Sequence, residues 1–433
     1  MNGPDYGTLL ESPIEDDMPP TQRNLILAGL LFVAGAAVLW VLLGQSYPDD
    51  EGADPVAVSS TVNQPAVAQA PPSSTSAPSP TTQSIATTSS PAAQSGDVAQ
   101  QLHALLDELV AGQGFSGVVL VAEDDEVIWV RAEGLADLET ETAIHPGSRF
   151  NLGSMDKMFT AVSILQLMEE GLLSLHGTVA EYLPDYPNAD IAAQITIEHL
   201  LTHTSGLVVD VFNEEFGLDP HRYRTNEDYL PLFIDAPLQF APGEQFGYSN
   251  AGFIILGLII EELSGMSYDE YVQEHIFEPS GMIATGAEDV EEDFANLAIG
   301  HTTMDITGND TGVMSDHRPL MPGRGSAAGG GYSTAGDLHR FRNALLGHRL
   351  LSPESLALLI TGRVRISEQA DYALGFFDRI QAGERVVGHG GGAPGVCSSL
   401  SVYPDSEYTI VVLSNSDRDC MAVLDFLATN PPR

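Results

Sequence analysis

Lysine is almost absent from this chain. Its 433 residues carry 17 basic side chains, and sixteen of them are arginine. The single lysine is Lys157. Basic charge as a whole is scarce, with 60 acidic residues giving a formal net charge of -43 at pH 7. Such a surface repels nucleic acid and anionic lipid, which sets both aside as partners. Acidity with arginine in place of lysine fits life in high salt, where mobile cations screen the self-repulsion. It fits equally the bias of a GC-rich genome. Cysteine is also scarce. Cys397 and Cys420 are too few for a disulfide framework, and their spacing suits no metal site. One bridge in an exported domain and two buried free thiols both remain open.

Long apolar runs are few as well. One stands out, Leu25 to Leu43, with nineteen uncharged residues. That length spans a bilayer as a helix. The apolar part of a cleaved signal peptide is usually shorter, and no small-residue cleavage site follows closely. The expectation is therefore a transmembrane anchor over 25–43. Arg23 precedes it, and the next basic residue is Arg131. The positive-inside rule then makes 1–24 a short cytoplasmic tail, with the rest outside the cytoplasm at the cell membrane. Residues 44–96 are rich in Pro, Ala, Ser and Thr and cannot bury enough surface to fold, so a flexible stalk is expected. Residues 97–433 form the globular part, and no internal repeat is present.

Within that part, Val98, Leu102, Leu105, Leu106 and Leu109 recur at helical spacing. Phe115 to Ala122 and Val127 to Arg131 are β-rich runs around a turn, which predicts a hairpin. A long helical middle follows. Near the end, RVVGH, VCSSLSVYP and YTIVVLSN read as strands, and Asp419 to Leu427 as a helix. Strands at both ends with helices between predict an α+β fold: an antiparallel sheet built from N- and C-terminal strands, flanked by helices, with a mostly helical insertion. The apolar run Phe253 to Ile260 reads as a core helix, too short to span a membrane.

Ser154 stands three residues before the lone lysine. If the following segment is helical, both side chains share one face. A serine at a helix start meets the positive end of the dipole, and its backbone N–H is free to serve an oxyanion. Serine needs a base to act as nucleophile. A buried lysine can lose its proton and supply one. A solvated lysine would have been replaced like the others; one needed as a titratable amine would stay.

FNLGSMDKMFTAVSILQLMEEGLLSLHGTVAEYLP resembles the first motif region of the serine β-lactamase and penicillin-binding protein superfamily. ITIEHLLTHTSGL, FAPGEQFGYSNAGFIILGLIIEELSG, GGGYSTAGDLHRF and GHGGGAPG agree with it in order, from about Asp97 to the C-terminus. The likeness is greatest to the class C β-lactamase branch, with its esterase and D-amino-acid peptidase relatives. The resemblance implies Ser154 as acylated nucleophile, Lys157 as its proton partner and Tyr248 as proton shuttle, provided Lys157 lowers the tyrosine pKa. It implies Asn250 as a holder of the lysine and the substrate. The backbone N–H groups of Ser154 and Gly392 would form the oxyanion hole. His389, Gly390 and Gly391 match the third motif, usually Lys-Thr-Gly, and position substrate.

This chain departs from that motif. His389 stands for a lysine and Gly390 for a hydroxyl residue, so the usual grip on a substrate carboxylate is weaker. An ester or a D-amino-acid amide or peptide is therefore the expected small-molecule or peptide substrate. A D-alanyl-D-alanine carboxypeptidase, a β-lactamase and a silent β-lactam- or peptide-binding module are the alternatives. No metal or organic cofactor is implied. Gly390 to Gly395 fits G-x-G-x-x-G, but a strand-like run follows it where a dinucleotide site needs a helix. His199 and His203 are spaced like zinc ligands, but Leu200 takes the place of the required glutamate. His203 is expected to hold loop backbone.

Overall fold

The computed structural model describes residues 92–430, apart from 113, 210, 212–213, 306–308 and 418–419. The expected tail, the anchor and all but the last residues of the stalk lie outside the described residues. The first described helix, Ala92–Ala111, begins inside the end of the expected stalk. Among the described residues, no single helix is long and apolar enough to cross a membrane.

The centre of the fold is an eight-stranded antiparallel sheet. Gly117–Glu123 and Glu126–Glu133 form the expected hairpin, with a register shift between Val121 and Ala122. Glu384–Ala393, Val396–Tyr403 and Tyr408–Ser414 are the three C-terminal strands. The two ends of the domain meet where Val119 pairs with Val412. This closes the sheet from both termini, as the pattern of strands and helices predicts. Val364–Ser367, Ala370–Tyr372 and Phe377–Gln381 extend the sheet beyond the Glu384–Ala393 strand.

Both faces are covered, which explains the near-continuous apolar run GVVLVAE in the first strand. Val118, Leu120, Val411 and Leu413 face the helical insertion. Val119, Val121 and Val412 face Leu102 and Leu106 of the first helix, and Val423 and Leu427 of the last, Cys420–Thr429. Leu102 and Leu106 are fully buried. Each contributes on the order of 2 kcal/mol, enough to hold the first helix against the sheet. Cys397 and Cys420 are bridged, which joins the last helix to the strand Val396–Tyr403.

Two buried helices carry the site. Asp156–Glu169 starts at once from a single 3-10 turn, Gly153–Met155, and is buried on nearly every side. Asn250–Ser264 packs against it, capped by the Ser249 hydroxyl on the Gly252 N–H and ended by Gly265 in the left-handed conformation.

Candidate active site

Ser154 lies in the 3-10 turn, pressed between two glycine segments. Gly153 adopts φ +52, and a Cβ there would stand 2.8 Å from the Gly392 nitrogen. A Cβ on Gly329 would meet the Gly153 carbonyl oxygen at 2.5 Å. A Cβ on Gly391 would meet the Leu152 oxygen at 1.9 Å. Only glycine allows the backbone to close around the serine so tightly. The approach brings the Gly392 nitrogen against the turn that holds Ser154. Gly390 lies in the same strand, opposite Ser399, and is half-buried.

Hydrogen bonds fix the turn. The Gly153 N–H donates to Asn151 Oδ1 at 2.9 Å, and the Asn151 amide donates to the Gly330 carbonyl. The Leu152 N–H donates to the Gly331 carbonyl, and the Gly330 N–H to the Gly153 carbonyl. Ser398 donates to the Leu152 carbonyl at 2.7 Å, tying the turn to the sheet. The Gly331 N–H donates to Asp156 Oδ2. Asp156 is buried, and desolvation raises its pKa to about 7 against the pull of that bond and of Lys157.

Lys157 has no exposed surface. Its Nζ donates to Asn250 Oδ1 at 2.8 Å and to the Ala328 carbonyl. Desolvation lowers its pKa to about 7, and the neighbouring Asp156 offsets part of that effect. Near neutral pH a large fraction is a neutral amine. Its two N–H groups match the two acceptors and leave a lone pair unused.

Tyr248 behaves differently from the expectation that Lys157 lowers its pKa. The lysine Nζ sits over the tyrosine ring, 5.0 Å from its centroid. Burial raises the phenol pKa, with only a smaller opposing pull from neighbouring Ser154. The hydroxyl itself is buried and has no partner within hydrogen-bond geometry. At neutral pH the base among these groups is therefore Lys157, and Tyr248 is a protonated donor.

His389 is fully buried, and desolvation together with the nearby Lys157 lowers its pKa to about 3. Both ring nitrogens are engaged, Nε2 with the Tyr372 hydroxyl at 3.1 Å and Nδ1 with the Gly390 carbonyl at 2.6 Å. It presents no cation to the site. His203 holds loop backbone, its Nδ1 accepting from the Ser249 N–H at 3.1 Å. His199 caps its own helix through the Thr196 N–H. No cluster fit for a metal exists among the described residues. The structure thus gathers Ser154, Lys157, Tyr248, Asn250 and Gly392, while His389 is turned into a buried network.

Sequence reasoning did not single out Asp156, Asn151, Ser398 or Tyr372. The acidic residue inside S-M-D-K was a signal for the first, because a carboxylate in a first helical turn is well placed to bind backbone N–H groups. No local signal marks the other three.

Residues 102–427 match the β-lactamase family model. Penicillin-binding protein 4* of Bacillus subtilis is 31% identical over 337 residues, covering 74% of this chain and 72% of that protein. Esterase EstB of Burkholderia gladioli is 30% identical over 288 residues, covering 60% and 73%. The crystal structure of a D-stereospecific amidohydrolase from a Streptomyces species superposes with a TM-score of 0.62 at 27% identity, covering 72% of this chain and 94% of that one. The family match takes in every strand of the main sheet and both helices of the site, and the chain belongs to the β-lactamase family of serine hydrolases.

Proposed function

We propose that this protein cleaves an ester or a D-amino-acid amide or peptide through an acyl-enzyme on Ser154. The neutral Lys157 amine takes the Ser154 proton as Oγ bonds to the substrate carbonyl carbon. The backbone N–H groups of Ser154 and Gly392 receive the oxyanion. The bond to the leaving group breaks as Tyr248 passes it a proton, which Lys157 replaces. Water then releases the acyl group by the reverse route, restoring Ser154. Neither metal nor organic cofactor enters these steps.

One observation carries the substrate class. Where a lysine commonly stands, His389 is buried, neutral and fully hydrogen-bonded. A substrate carboxylate finds no cation there. The esterase and the D-stereospecific amidohydrolase among the related proteins support the same reading. A D-alanyl-D-alanine carboxypeptidase or a β-lactamase is the second reading, favoured by the likeness to penicillin-binding protein 4*. A silent binding module fits poorly with a buried amine whose pKa is near 7. The test is a panel of short-chain nitrophenyl esters, D-amino-acid amides, D-alanyl-D-alanine peptides and penicillin, run on wild type and Ser154→Ala. Serine-dependent turnover of esters or D-amides, at least tenfold above the other two in kcat/KM, supports the proposal. Preference for carboxylate-bearing substrates overturns it.

We also propose that the catalytic domain works outside the cytoplasm, held by the apolar run 25–43. The Cys397–Cys420 bridge supports this, since disulfides persist in oxidising compartments. Protease accessibility of the domain on intact cells tests it.

A further inference from the structure

Loop and strand segments of the site meet at a side chain that the mechanism does not use. Tyr372 ends the three-residue strand Ala370–Tyr372 and is fully buried. Its hydroxyl lies 3.1 Å from His203 Nε2 and 3.1 Å from His389 Nε2. The outer ends of this chain are backbone groups. The Ser249 N–H meets His203 Nδ1, and the Gly390 carbonyl meets His389 Nδ1.

Donor and acceptor accounting leaves one arrangement of protons. An N–H can only donate, so His203 Nδ1 accepts and its proton sits on Nε2. A carbonyl can only accept, so His389 carries its proton on Nδ1 and accepts at Nε2. The Tyr372 hydroxyl then accepts from His203 and donates to His389. Every polar atom in the line is satisfied, and both histidines are neutral. An extra proton on either ring would break a bond in a site with no water-exposed alternative. Burial pushes both imidazole pKa values well down, which agrees.

We infer that Tyr372 is a positioning residue: its hydroxyl locks His203 and His389 in opposite neutral tautomers, and so ties the loop of Tyr248 and Asn250 to the strand of Gly390 and Gly392. Ser249 lies between the proposed proton shuttle and the residue that holds Lys157. Gly390 lies two residues before the proposed oxyanion donor. The line therefore sets the distance between the group that moves protons and the group that receives charge. A shift of about 1 Å between such groups can cost a hundredfold in rate. The kinetic part of this inference rests on the serine-hydrolase reading; the tautomer part does not.

The test uses the full-length protein with 15N-labelled histidine. Ring-nitrogen NMR of wild type, with His203 and His389 assigned by single His→Gln variants, should show His203 protonated on Nε2 and His389 on Nδ1 from pH 5.5 to 8.5. The same tautomer on both rings, or a charged ring within that range, overturns the lock. Tyr372→Phe keeps the ring and removes the hydroxyl. It should lower kcat about ten- to a hundredfold with KM changed less than threefold, because the reacting groups move while the pocket walls stay. Wild-type kcat in a folded Tyr372→Phe protein overturns the positioning role. Should Tyr372→Phe not fold, the wild-type tautomers still decide the lock. Correct tautomers in a protein whose Ser154→Ala variant retains full activity would instead count against the serine-hydrolase reading alone.

Discussion

Gly391→Ala tests how closely the backbone must approach at the oxyanion hole. The added Cβ would stand 1.9 Å from the Leu152 oxygen and 2.5 Å from Ser398 Oγ. A carbon and a carbonyl oxygen need more than 3 Å, so strand and turn must part by about 1 Å in a close-packed site. Ser398 cannot relieve this by turning away without losing its bond to the same Leu152 carbonyl. Gly392 lies next along the strand, and Ser154 lies two residues beyond Leu152. The separation therefore opens between the two proposed oxyanion donors. Loss of one such donor costs about 10²–10³ in kcat. Overpacking should cost a further 1–3 kcal/mol or so of stability. Gly390→Ala is the comparison. Its Cβ would meet nothing nearer than the Ser398 oxygen at 3.3 Å, so its kcat should fall by less than about tenfold. Single-turnover acylation and thermal melts on both variants decide the matter. A folded Gly391→Ala protein that acylates as fast as Gly390→Ala would refute the argument.

Other outcomes follow from the same geometry. Lys157→Arg should lower kcat/KM by about 10²–10⁴, the usual worth of a general base, because arginine stays protonated; a near wild-type rate removes lysine from that role. In wild type, kcat/KM should rise with pH through an apparent pKa of about 7, as the buried Lys157 and Asp156 titrate together; a profile flat from pH 5 to 9 contradicts it. Lys157 also leaves a mark on stability. Its folded pKa lies below its unfolded value of 10.5, so the unfolded chain takes up this proton first as pH falls. This contribution costs nothing above pH 10.5 and grows until about pH 7, so Lys157→Met should stabilise the fold more at pH 7 than at pH 10; a melting difference independent of pH argues against it. Reducing the Cys397–Cys420 bridge, which spans 23 residues, should cost about 3 kcal/mol of stability; an unchanged melt under reductant would show the bridge to be idle.

Much of this was readable in the chain because the chemistry constrains it locally. The N-terminal hairpin announces itself by β-branched residues around EDDE. The terminal strands do so by apolar runs too short for helices. Lys157 stood out because every other lysine is missing. What stayed hidden is made by contacts distant in sequence. The strands Val364–Ser367, Ala370–Tyr372 and Phe377–Gln381 are short and separated by charged residues and glycine, and only pairing in sequence outward from the Glu384–Ala393 strand makes them strands. The site helix starts at Asp156, ahead of the apolar pattern beginning at Phe159, because the turn at Ser154 runs straight into it. His389 reads from sequence as a substrate contact, yet Tyr372, seventeen residues earlier, takes its outer nitrogen. Tyr248 reads as a phenol tuned by lysine, yet burial raises its pKa and only Ser154 pulls the other way. The state of the two cysteines depended on the sheet and the last helix meeting, which no spacing rule foretells.

The most direct test of the acyl-enzyme is intact mass spectrometry of the protein mixed with a slowly deacylating nitrophenyl ester, then quenched in acid and digested. The account predicts one acyl adduct, mapped to Ser154 and absent from Ser154→Ala. An adduct on any other residue, or turnover with Ser154→Ala still acylated, would contradict it.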